Sequence, residues 1–298
     1  MKPGTVQKSL GEALFRLIAG PNGIDAQHRI HGTPGPRWFS PDSAIAHVHS
    51  DTSMYIGGLR ALMLQSLHPG PMMAVAVHSG YRGDMWGRLA RTSTFLATTT
   101  FGAAQDAQRA VDTVRRIHDQ ISGTLPDGTP YSAADPHLLA WVHAAEVDSF
   151  LGAHQEFGQH PLDAAGCDAY LADTALVARK LGVLNPPTTL GQLQDTLAAF
   201  RPELRGTPEA VDAITYVRKH PPLSLAARPG YAVLWAAAIS LMPEWTRAEL
   251  GLPNRPAVDR TVARAGGKAS TLALRWVSKP ITQRARDIGR AAGTNTVK

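Results

Sequence analysis

The side chains of this sequence best placed to do chemistry are a histidine, two arginines and a threonine. In RLARTSTFLATTTFG, Arg88 to Gly102, Arg88 and Thr92 stand four residues apart and so share one helical face, with Leu89, Phe95 and Leu96 available to pack beside them. A buried, unpaired guanidinium is strongly destabilising. Arg88 and Arg91 must therefore reach solvent, meet a carboxylate such as Asp84, or face an anionic ligand, of which a haem propionate is one example. Sixteen residues beyond Gly102, His118 falls on the apolar stripe Ala107, Ala110, Val111, Val114, Ile117 and Ile121, spaced i, i+3, i+4, i+7 behind the cap-like Asp106. An imidazole there is either a hydrogen-bonded core residue or a ligand, and a neutral imidazole is what an axial iron ligand requires.

Other groupings offer less. His143 and Glu146 in WVHAAEVDSF stand at i, i+3 and could share a metal. Di-iron helical bundles, however, use Glu-x-x-His twice with two further Glu, whereas this order is reversed and single, so His143 reads as a bonded core histidine. His68 and His78 flank an apolar run broken by Pro69 and Pro71, which is no standard ligand spacing. The imidazoles of His47 and His49 diverge on a helix. GxGxxG, Walker, GxSxG and HExxH motifs are missing, so any catalysis must come from a cofactor or from a site with no local signature.

The elements that must position these residues read as helical throughout. Apolar periodicity predicts helices near 54–67, 71–79, 84–101, 103–122, 135–158, 162–182, 189–200, 207–219, 229–241 and 257–276, and no convincing strand. Breakers separate them: HPGP at 68–71, LPDGTP at 125–130, NPP at 185–187, HPP at 220–222 and LPNRP at 252–256. The expected fold class is all-α, with residues 1–298 forming one domain. Ser9 to Gly20 reads as a surface helix rather than a secretory signal. A Gly/Pro-rich arm, about 20–42, is expected to be extended and anchored by Trp38 and Phe39.

Composition narrows the function classes. The single cysteine, Cys167, excludes a disulfide framework, a thiolate zinc cluster and covalent haem attachment, and fits a reducing, cytoplasmic compartment. The longest apolar run, Tyr231 to Met242, is too short to span a bilayer and reads as a core helix. Net charge is uneven: Arg255 to Lys298 carries ten Lys/Arg against two acids, a net +8, and the rest of the chain is −2. Such a basic tail is a solvated helix face or a peripheral contact with anionic membrane. Trp276 is its lone aromatic, so nucleic acid is not an expected partner.

Longer stretches carry a resemblance. GGLRALMLQSLHPGPMMAVAVHSGYRGDMWGRLARTSTFLATTTFG (57–102), VRRIHDQISGTLPDGTPYSAADPHLLAWVHAAEVDSF (114–150) and PPLSLAARPGYAVLWAAAISLMPEW (221–245) present LHPG, HS, R-x-x-x-T, R-x-x-H and WVH in order. This series resembles the family of latex-clearing rubber oxygenases and MpaB-type oxygenases. The resemblance implies a globin-related helical fold with additional helices, haem b held by one histidine, and dioxygen-dependent oxidation of a hydrophobic, isoprenoid-like small molecule. Carried over by motif, His118 is the iron ligand and Arg88 and Thr92 belong to the cofactor site; Arg91, His78 and Arg88 are the candidate catalytic donors toward dioxygen. Two positions differ from the rubber oxygenases: Arg91 replaces a lysine able to cap iron, and Met72 stands where they carry a basic glutamate. A substrate smaller than a polymer is the expectation. Two rival readings are a haem or gas-binding protein without turnover, and a non-haem metal or cofactor-free binding protein using His143 and Glu146.

Overall fold

Side-chain caps set where five of the helices begin. Ser43 accepts from the Ala46 N–H, Asp135 from His137, Asp163 from Gly166, Thr189 from Gln192 and Thr207 from Ala210, with Pro136 and Pro208 at first-turn positions that need no N–H. The computed structural model describes residues 3–78 and 81–293, apart from a few side chains near residues 3 and 83. In order the elements are α1 (Pro3–Ala19), α2 (Gly23–Gly32), α3 (Ala44–His49), α4 (Met54–Gln65), α5 (Pro69–His78), α6 (Tyr81–Phe101) and α7 (Ala104–His118). There follow β1 (Ser122–Thr124), β2 (Pro130–Ser132), α8 (Pro136–Phe157), α9 (Ala164–Leu181), α10 (Leu190–Phe200), α11 (Pro208–Lys219) and α12 (Arg228–Ser240). The chain ends in α13 (Glu244–Glu249), the single turn α14 (Pro256–Val258), a π turn at Asp259–Ala263 and α15 (Arg264–Ala291).

The α8 helix organises the core because both its faces are apolar. Trp141, Ala145, Ala153 and Phe157 pack with α4, α11 and α12 residues, including Met63, Ile214 and Trp235. Ala144, Val147, Phe150 and Leu151 pack on the other side with Ile45, Val48, Tyr170 and Leu171. The closest approach is at Gly57 of α4, where a Cβ would lie 2.9 Å from the Phe150 ring, so any side chain there would push the two helices apart. The Tyr231–Met242 run forms a core helix as expected, with Tyr231, Trp235, Ala237 and Ala238 buried. Among the described residues no helix is long and apolar enough to cross a membrane.

Four features depart from the sequence reading. The arm is not extended throughout: Gly23–Gly32 is helical, its buried Gln27 donating to Ile281 O at 3.1 Å and accepting from Arg284 at 2.6 Å. Phe39 is buried at the arm's end and Lys180 lies over the Trp38 ring. A small antiparallel pair, Ser122–Thr124 with Pro130–Ser132, folds around LPDGTP. That turn stops α7 at His118, leaving Ile121 beyond the helix and Ile117 exposed. Finally, α15 runs through Pro280 to Ala291. Pro280 has no N–H to give the Trp276 carbonyl one turn earlier, and Gln7 Nε2 of α1 donates to that carbonyl at 2.7 Å instead.

Candidate functional site

The α6–α7 hairpin brings the two halves of the sequence motif together. Its turn is tight: a Cβ on Gly102 would lie 2.5 Å from Thr98 O, and the Ala104 N–H is held by Pro36 O at 2.7 Å. Arg88 lies fourteen residues before Gly102 and His118 sixteen after it. At about 1.5 Å rise per residue, both stand about 20–25 Å along their helices from the turn; α6 and α7 pack on one another, and His118 feels the charge of Arg88. Burial pushes the His118 imidazole below its usual pKa, Asp119 opposes that shift, and the charge of Arg88 adds to it. The imidazole is thus held neutral. Its Nδ1 is buried and has no hydrogen-bond partner, an arrangement that native folds rarely leave without a water, ion or ligand.

A second imidazole is in the same condition. His143 on α8 keeps a buried Nε2 with no partner, and burial depresses its pKa to about 4. The expectation of a bonded core histidine is therefore not met at that nitrogen. One turn on, Glu146 lines a cavity of about 350 Å³. Burial pushes its carboxyl up to about 7, so near neutral pH it shifts between acid and carboxylate. The cavity walls come from α1 (Leu14, Phe15, Ile18), α4 (Tyr55, Leu62), α6 (Arg88, Leu89, Thr92, Leu96) and α15 (Ser278, Ile281, Thr282). His49 of α3 also lines it, with Nδ1 2.8 Å from Thr100 Oγ1 and Nε2 3.3 Å from Tyr170 Oη. Burial lowers His49 to about 3 and raises the Tyr170 phenol well above its usual range, with the Glu146 charge adding to the latter. The cavity is apolar with a few convergent polar groups, the usual make-up of a small-molecule site.

Of the residues singled out in the sequence, Arg88 and Thr92 line this cavity and His118 adjoins Arg88. Arg91 and His78 stand elsewhere. Arg91 is 66% exposed and bridges Asp84 at 2.9 Å, the pairing that spacing offered to its neighbour Arg88. Asp84 leaves helical geometry (φ −139°, ψ 42°) at a kink in α6. His78 is exposed at the end of α5, with Nε2 3.4 Å from Tyr131 Oη. Neither is among the cavity's lining groups.

The structure also assembles a cluster that no local spacing announced. His68, His137 and Glu203 place their ligand atoms within 4.8 Å of one another. The His68 and His137 Nε2 groups donate to Glu203 Oε2 at 3.1 and 2.9 Å. The Gly70 N–H donates to His68 Nδ1 at 3.2 Å, so that nitrogen carries the lone pair and Nε2 carries the proton. A metal-binding imidazole normally has the opposite wiring, its remote N–H donating outward. This cluster therefore suits a hydrogen-bonded clasp better than a metal.

Comparison with known proteins adds the assignment. No curated protein and no solved structure gives a significant match. The family model described as "ER-bound oxygenase mpaB/B'/Rubber oxygenase, catalytic domain" matches residues 46–273, which include the whole α6–α7 hairpin and α8. The chain belongs to this oxygenase family.

Proposed function

We propose that this protein is an oxygenase that holds haem b and oxidises a hydrophobic small molecule with dioxygen. The observation that carries the reading is His118: a neutral imidazole with a buried, unpartnered ring nitrogen beside Arg88, on a hairpin inside the family match. The described residues fit the group in donor chemistry, since an imidazole nitrogen suits the iron and a guanidinium suits a propionate. His118 would hold the iron, Arg88 would bind a propionate and Thr92 would stand beside them on α6. When bound, haem would supply dioxygen binding and redox chemistry that no side chain provides.

The chain's own residues do the rest. Leu62, Leu89, Leu96 and Phe150 form walls that select an apolar substrate and exclude water. Glu146 can hold or release a proton at a carboxylate oxygen near neutral pH. A second reading keeps the haem and moves the ligand to His143, whose unpartnered Nε2 favours it. Titration of purified protein with haemin tests the proposal: it should give a saturable Soret band, with haem that acid and solvent extract. A protein that takes up no haemin refutes it, and oxygen consumption over a panel of isoprenoid-like compounds then separates an oxygenase from a binding protein.

A further inference from the structure

We infer that the surface formed by α1 and α15 docks on anionic lipid membrane, with the cavity opening beside the docked face. The α15 helix carries on one side Lys268, Leu272, Trp276, Lys279, Gln283, Arg286 and Arg290, all exposed and spaced by steps of three and four, with Lys268 3.7 Å from Glu156 and Arg290 3.6 Å from Asp287. Such a series stays on a single helical face. Leu272 is 63% exposed and Trp276 49%, two large apolar side chains among four cations. The helix has one acid, Asp287, against seven Lys/Arg in Arg264–Ala291. Its opposite side is occupied: Thr271, Ile281 and Gly289 are buried, and Arg275 pairs with Asp51 at 3.2 Å. The basic stripe is the side left to solvent.

α1 extends this surface. Gln7 bonds to Trp276 O, and Gly11 sits so close that a Cβ would lie 2.5 Å from Val277 O. Between them Leu10 is 49% exposed. The same two helices wall the cavity, through Gly11, Leu14 and Ile18 on α1 and Ser278, Ile281 and Thr282 on α15, and Thr282 is itself exposed. A lipophilic molecule dissolved in a bilayer would thus meet the cavity without crossing water.

Charge complementarity favours a lipid surface, since the segment from Arg255 onward carries +8 on a body of −2. The interleaved Leu272 and Trp276 distinguish lipid from nucleic acid. Tryptophan partitions to the headgroup level and leucine below it, whereas a phosphate backbone gains nothing from an exposed leucine.

The test uses the full chain and vesicles of phosphatidylcholine with or without phosphatidylglycerol, read by co-sedimentation at low and high salt. The wild type should bind phosphatidylglycerol vesicles at least tenfold better than pure phosphatidylcholine, and high salt should remove most of that preference. Lys279→Glu with Arg286→Glu should abolish the preference. Leu272→Ser with Trp276→Ser, which leaves the charge intact, should weaken binding several-fold. All four side chains are exposed, so melting curves should match wild type. Equal binding to both vesicle types, or wild-type binding by either double variant, overturns the inference. Tighter binding to duplex DNA than to vesicles, indifferent to the Leu272 and Trp276 changes, overturns it in favour of a polyanion site. The measurement needs neither haem nor turnover, so its failure is separable from failure of the proposed activity.

Discussion

Two groups of histidines in this molecule are treated in opposite ways. At the α5–α8 end, His68 is fully wired and His137 shares its carboxylate: Gly70 N–H occupies one His68 nitrogen, and both Nε2 groups meet Glu203. Around α6–α8, His118 and His143 each keep a buried ring nitrogen with no partner, as does His154 farther along α8, and Glu146 is half-buried on the cavity wall with a carboxyl shifted to about 7. Leaving a buried nitrogen unpaired costs about 1–3 kcal/mol, a cost that a ligand bound at His118 or His143 would relieve. An orphan nitrogen does not by itself mark a ligand, since His154 Nδ1 is also buried without a partner while its Nε2 lies 3.1 Å from His160 O; what sets His118 apart is the charge of Arg88 beside it.

The largest expected effect lies in the unsatisfied group. His118→Ala should abolish stable haem retention, read as loss of the Soret band after gel filtration. His143→Ala should leave most haem bound, and Arg88→Ala should fall between the two by weakening a propionate contact. The reverse ranking, with haem lost from the His143 variant and kept by the His118 variant, moves the iron ligand to α8 and breaks the assignment while leaving the family intact.

Glu146 sharpens the comparison through pH. Its folded pKa of about 7 exceeds the ordinary 4.5, so between those values the folded chain binds more protons than the unfolded one. Stability must then fall as pH rises through that window, with the full penalty present above it. Glu146→Gln should therefore raise the melting temperature of the ligand-free protein at pH 8, by up to about 3 kcal/mol of stability, and change it little near pH 4. A gain of equal size at both pH values would mean that charge burial is not the cause.

The clasp should respond in the opposite sense. Burial holds the His68 imidazole below its usual pKa, although Glu203 pulls the other way. Burial would raise the Glu203 carboxyl, but its hydrogen bonds from His137 and His68 hold it below the usual range. For both groups the unfolded chain binds protons more readily, so this contribution is present at neutral pH and is lost on acidification, first through the histidine range and then through the carboxylate range. Glu203→Ala should cost about 1–3 kcal/mol at pH 7 by leaving the buried His68 donor unpaired, with the difference from wild type shrinking at low pH. Haem uptake should be unchanged. A variant that loses haem would tie the two regions together and undo the comparison.

How much of this was legible in the sequence follows from distance along the chain. That Arg88 and Thr92 share one face, with His118 on the helix packed against theirs, was readable because helix spacing and one short turn determine it; their role in holding a cofactor is the proposal. The Tyr231–Met242 core helix was readable for the same reason, whereas the cap-like Asp106 lies in the first turn of α7, paired with Arg109, and Ala103 takes the N-cap position without a side-chain bond. The Glu203 clasp was not, because its members lie 66 and 135 residues apart and meet only through α8 and the turn after α10. The cavity draws walls from α1, α4, α6 and α15, and no local period encodes such a meeting. The continuation of α15 past Pro280 was hidden because the carbonyl freed by proline is satisfied by a residue 269 positions away.

Arg91 supplies the smallest expected effect and a control on the whole scheme. The sequence reading made it a donor toward dioxygen, whereas the structure sets its guanidinium at the surface, paired with an Asp84 that is itself 61% exposed. Exposed pairs contribute about 0–1 kcal/mol because water and salt screen them and two long side chains must be ordered. Arg91→Ala should thus shift stability by less than about 1 kcal/mol and leave haem affinity at its wild-type value. The pair also spans the kink at Asp84, where α6 departs from helical geometry, so a moderate effect on the order of that first turn is compatible with this placement. A large fall in oxygen consumption with haem fully retained is not: that result would require Arg91 to reach the bound oxygen, and α6 to rotate about the kink when the site is filled.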